Sequence, residues 1–189
     1  MSITQVLILV LVVIVLGVAG WFLLRHQRLR RRFGSEYEKV VAEHSGFLAG
    51  ERELRERQRR HDQLTLRELD PAAQQRYAQA WQDIQAQFVA DPAGAVVAGD
   101  ELVTRLIAER GYPTENFDDQ LSYLSVEHAR TLGHYRDAHE IYLRGQQGQA
   151  DTEELRRALV HYRALFAELL GTDPVPDSVA TPDRPRDQH

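Results

Sequence analysis

From Val6 to Leu24 the chain carries nineteen residues with no charged or strongly polar side chain, and Arg25, Arg28, Arg30, Arg31 and Arg32 follow at once. A helix of that length reaches about 28 Å, close to the roughly 30 Å hydrocarbon core of a bilayer. The segment before it, Met1 to Gln5, has no charged side chain. Positive charge beside one end of an apolar span marks the cytoplasmic side. These features predict a single-pass transmembrane anchor over 1–24 in the plasma membrane, with the N-terminus outside and the body in the cytoplasm. The alternative is a cleaved signal peptide, since Gly17-Val18-Ala19 offers small residues at suitable spacing. A signal peptide carries a basic n-region and a shorter apolar stretch, which favours the anchor. Trp21 stands at the cytoplasmic end, where an indole suits the headgroup layer, and the five arginines complete the expected membrane-interface set.

Charge is segregated along the rest of the chain. Residues 25–61 hold eleven Lys/Arg and six Asp/Glu, a net of +5, whereas 62–189 hold twelve Arg and twenty-two Asp/Glu, a net of −10. An acidic body argues against nucleic-acid binding, which draws on cationic contacts to phosphate. The basic stem suits anionic lipid, so the bilayer is one expected partner. With no cysteine in the chain, disulfides and thiolate metal sites are excluded.

Helical periodicity runs through the body. Residues 25–65 read as a basic juxtamembrane stem helix, with Phe33, Tyr37, Val40, His44, Phe47 and Leu54 near helical spacing. That seam admits a homodimer through the stem, but Glu51, Gln58 and His61 dilute it, and a lone, solvated helix is the simpler expectation. Over 66–171 the pattern predicts a bundle of four to five helices. Asp70-Pro71 and Asp91-Pro92 each place a capping carboxylate before a first-turn proline. Tyr77, Trp81, Ile84 and Phe88 form one stripe, and Val96, Val103, Leu106 and Ile107 another. Arg110-Gly111-Tyr112-Pro113 ends the second helix. A short segment carries Phe117, Leu121 and Leu124, and Ser125 is the expected cap of the helix that follows. Gly145 to Gly148 reads as a loop. Asp151 with Glu154 reads as a capping box opening a last helix that buries Leu155, Leu159, Tyr162, Phe166 and Leu169. No sustained strand alternation appears, so the fold class is all-α. Residues 172–189, with four of the seven prolines, read as a disordered tail.

Chemistry is hard to find. There is no phosphate-binding loop, dinucleotide fingerprint, nucleophile elbow or zinc-protease helix motif. His134 and His139 are five apart and do not share a helix face, so spacing along one helix predicts no metal site. No catalytic or cofactor-binding residue is assigned, and no enzyme is expected. Tyr135, Arg136, His139 and Tyr142 are the candidates for a polar pocket, and Tyr112 for a partner-contacting loop. A protein partner is the expected ligand, with a small-molecule sensor and an anionic-lipid-surface protein as alternatives.

The order of features resembles an uncharacterised family of single-pass membrane proteins from high-GC, actinobacterial-type bacteria. The resemblance rests on the arginine run at Arg28 to Gly34, the stem at Glu51 to Arg57, and the segment Trp81 to Pro92. It continues through the turn Arg110 to Pro113, the segment Ser125 to His128, and the final helix at His161 to Phe166. Ala129 stands where the family carries proline. The resemblance implies a membrane-tethered helical domain and assigns no activity.

Overall fold

The structure, a computed structural model, describes residues 33–34, 36–42 and 47–171. The expected anchor, with Trp21, Arg25, Arg28, Arg30, Arg31 and Arg32, lies outside these residues, as does the expected tail. Among the described residues the secondary structure is all helical, and no helix is long and apolar enough to cross a membrane. After a helical stretch at 36–42 come α1 (Phe47–His61), α2 (Pro71–Gln87), α3 (Pro92–Glu109), α4 (Phe117–Leu124), α5 (Ala129–Gln146) and α6 (Thr152–Leu170).

Local signals set most of these boundaries. Asp70 and Asp91 accept hydrogen bonds from the backbone amides of Ala73 and Gly94, with proline next in each case. Asp151 and Glu154 form the reciprocal capping box, each side chain bonding the other's backbone amide. Helix α3 ends in a Schellman motif: Gly111 takes φ +95°, its amide bonds Ala108, and Tyr112 N–H reaches Ile107. Gly148 repeats that device after α5, which runs through Gly145 and so shortens the expected loop. Gly171 closes α6 with φ +80°. Ser125 is not an N-cap. It ends α4, and its hydroxyl donates to the Ser122 carbonyl, leaving α5 to start at Ala129. The N-cap of α4 is Asn116, whose side chain accepts from Asp118 and Asp119.

The chain divides into two compact units. The first takes its described residues from the stem up to Leu64 and from Glu115 to Leu132. The described stem residues are largely helical, but they do not form a lone solvated helix. Phe33, Tyr37, Val40, Leu54 and Val126 form a buried cluster, and α1 packs against α4. Gly50 permits the fold-back: a Cβ there would stand 2.8 Å from the Val41 backbone. The glycine that weakens a single straight helix thus lets two helical segments approach closely.

The second unit holds Thr65–Thr114 and the chain from Gly133 onward. Helix α3 lies against both α6 and α2. Leu102, Val103, Leu106 and Ile107 face Leu155, Leu159, Leu165, Phe166 and Leu169 in the core, all buried. Gly99 sets the close approach of α3 to α6, since a Cβ there would meet Leu159 Cδ2 at 2.8 Å. Trp81 stacks on Phe166 with centroids 4.8 Å apart, and Tyr77 meets the same ring edge-on.

Candidate functional site

Two features of the second unit stand apart from its apolar packing. One is a polar cluster centred on Asp100. Asp100 lies on α3 at spacings of four and three from Val96 and Val103, so it occupies the apolar stripe of its helix. A carboxylate there needs partners. Tyr162 on α6 donates its hydroxyl to Asp100 Oδ1 at 2.6 Å, and His139 Nδ1 on α5 lies 3.0 Å from the same oxygen. A carboxylate only accepts, so the imidazole carries its proton on Nδ1. Tyr135 packs edge-on against Tyr162 at 5.9 Å, with its hydroxyl bonded to Thr104. Burial, followed by the Asp100 charge, raises the pKa of Tyr135 and Tyr162 well above that of a free phenol. Both phenols remain neutral across the physiological range, and Tyr162 is the donor to Asp100. Tyr142 is raised in the same direction by the same two causes, and its ring lies 5.4 Å from that of His139.

The candidates Tyr135, His139 and Tyr142 are therefore brought together, around an acid and a second tyrosine. Tyr135 and Tyr162 are fully buried, with the Tyr162 hydroxyl on the Asp100 carboxylate and the Tyr135 hydroxyl bonded to Thr104. The arrangement is a satisfied network that ties α3, α5 and α6. Arg136 is half-buried on α5. Tyr112 is buried beyond the end of α3, and its turn is docked: Arg67 N–H bonds the Arg110 carbonyl, and a Cβ on Gly111 would stand 2.6 Å from the Thr65 carbonyl oxygen. That turn holds the start of the unit in place, with the Tyr112 side chain buried.

The second feature is a groove between α2 and α6, lined by Trp81, Gln85, Phe88, Leu159 and Val160 and edged by Arg156 and Arg163. Its volume is about 240 Å³. Its walls are apolar, and Val160 is half-exposed at its lip. Trp81 is buried, yet its indole N–H has no hydrogen-bond partner. Arg156 forms a two-pronged pair with Glu153 at the surface. Surface pairs of this kind contribute little to stability. The sequence places Trp81, Phe88 and Leu159 on core stripes; the groove forms where those stripes run out at the surface.

Comparison with known protein families, with curated proteins and with solved structures gives no match.

Proposed function

We propose that this protein is a non-enzymatic, membrane-tethered adaptor whose helical body binds a segment of another protein in the groove between α2 and α6. The observation that carries the reading is the apolar wall of Trp81, Phe88, Leu159 and Val160 between the cationic edges Arg156 and Arg163. An amphipathic helix that lays apolar side chains into the groove and places carboxylates at its rim fits this chemistry. A volume near 240 Å³ is below the roughly 300–1,000 Å³ of small-molecule pockets, which favours a protein segment over an enclosed ligand. The mutual hydrogen bonding of Asp100, Tyr162 and His139 likewise lends less support to a sensor site there.

The tether is residues 6–24, and the arginines after it set the body in the cytoplasm beneath the plasma membrane. A homodimer through the stem has less support, because Phe33, Tyr37, Val40 and Leu54 are buried within their own unit. The lipid-surface reading draws on one observation: Leu48 is exposed on α1 and lines the same surface hollow as Arg52, Arg55 and Arg59. Apolar and cationic side chains together suit anionic headgroups, as an addition to the tether.

The test is a photo-crosslinking side chain at Gln85, in the full-length protein in its native membranes. A control carries the same group at Gln79, which lies off the groove. A discrete protein adduct from position 85, absent from 79 and lost with Val160→Asp, is the expected result. Equal adducts from both positions, or none from either, would overturn the groove as the binding site.

A further inference from the structure

We propose that His134, Asp137 and His161 bind one divalent transition-metal ion of the Zn²⁺ or Co²⁺ class, clamping α5 to α6. His134 and Asp137 are three apart on α5 and so neighbours on its surface, and His161 faces them from α6. One donor atom from each lies within 4.8 Å of the others. The two imidazole rings stand 4.8 Å apart, centroid to centroid. On a single ion with bonds of about 2.0–2.2 Å, tetrahedral donors are separated by roughly 3.3 Å. Closing on an ion therefore asks for a movement of about 1.5 Å at the widest pair, within reach of rotamer changes on exposed side chains. His134 and Asp137 are both exposed.

His161 supplies the second observation. Its Nδ1 is buried and has no hydrogen-bond partner. The nearest carboxylate oxygen, Asp137 Oδ2, is 3.9 Å away, too far for a hydrogen bond and close to the spacing of two donors on one metal. Two imidazoles and one carboxylate select borderline metals such as Zn²⁺, Co²⁺ and Ni²⁺ over Mg²⁺ and Ca²⁺. Three protein ligands leave positions for water. The charge of Arg157 near His161 opposes the cation.

The experiment uses the full-length protein in detergent, stripped with a chelator and titrated with Co²⁺. The expected result is visible ligand-field bands that saturate at one ion per chain, are displaced by Zn²⁺ and are untouched by Mg²⁺. Zn²⁺ should also raise the thermal midpoint, as any ligand of the native state does. His134→Ala and Asp137→Asn alter exposed groups, so each variant keeps the metal-free thermal midpoint. Each should weaken Co²⁺ binding by at least about tenfold, the loss seen when even an outer partner of a metal ligand is removed. Absence of the bands, or bands of equal strength and affinity in both variants, would overturn the site.

Discussion

Tyr162 donates its hydroxyl to Asp100 at 2.6 Å across 62 residues of chain, joining the middle of α3 to the middle of α6 inside the core of the second unit. A partly buried carboxylate on an apolar stripe is costly alone and stabilising when its acceptors are filled. Tyr162→Phe removes one donor without changing the packing of the ring. It should lower stability by about 1–3 kcal/mol, read as a lower urea midpoint at unchanged slope. An unchanged midpoint would mean that water replaces the phenol at no cost.

The same phenols predict an alkaline limit. Tyr135 and Tyr162 have folded-state pKa values above the unfolded value of about 10. Their contribution is fully present below pH 10 and is lost as pH rises beyond it, because the unfolded chain releases protons that the folded chain keeps. Each phenol adds a slope of up to about 1.4 kcal/mol per pH unit. Denaturant titrations from pH 9 to 11 should show wild type falling more steeply than Tyr162→Phe. Parallel curves would contradict the assignment.

Two glycines share positive φ and differ in surroundings. At Gly148, with φ +69°, a Cβ would meet nothing within 4 Å; at Gly111, with φ +95°, it would stand 2.6 Å from a backbone carbonyl oxygen. Gly148→Ala should cost only the left-handed conformation, about 1–2 kcal/mol. Gly111→Ala should cost that and the displacement of residues 65–67 as well. Thermal unfolding of the two variants side by side checks the order, and a reversed order would remove the docked turn from the account.

The arginines after the apolar span predict topology. Replacing Arg25, Arg28, Arg30, Arg31 and Arg32 with Gln removes the charge difference between the flanks. A C-terminal reporter active only in the cytoplasm should lose most of its signal while the protein stays in the membrane fraction. Full retention of the signal would show that another element orients the chain.

Groove binding should respond to salt. Arg156 and Arg163 stand at the rim, where charges are screened beyond about 8 Å at physiological ionic strength. The position-85 adduct should weaken between low and high salt, while Val160→Asp should abolish it with a stability change within about 0.5 kcal/mol, as for other exposed positions. A salt-independent adduct would place the apolar wall, without its arginines, in charge of recognition.

What the sequence made legible is what local chemistry determines. Asp70, Asp91, Asp151, Gly111 and Gly171 act within a turn of themselves, and each takes the capping or terminating role its neighbours imply. The all-helical fold follows from stripes that keep one period. Features that depend on distant residues were harder to read. The stem folds back because Gly50 admits Val41, and a glycine in a helical pattern reads equally as a weak point. Asp100 left a signal, a carboxylate at the apolar spacing of Val96 and Val103, but its partners lie on other helices. His134 and His161 are 27 positions apart, so spacing along one helix says nothing of their rings lying 4.8 Å apart. Ser125 misled for a local reason: a serine three residues after Ser122 can satisfy a carbonyl behind it as easily as an amide ahead.

The first unit is discontinuous in sequence, because α4 and Val126 return to the stem after the chain has built α2 and α3 elsewhere. No single cut therefore separates spacer from cargo. A fragment that starts at Thr65 keeps Leu121, Leu124 and Val126 but loses Tyr37, Val40 and Leu54, leaving a greasy face where the intact chain has an interior. Removing the N-terminal arm to gain solubility would thus create the surface that defeats it. The arm belongs to the folded body, and the shortest faithful soluble form must begin before Phe33.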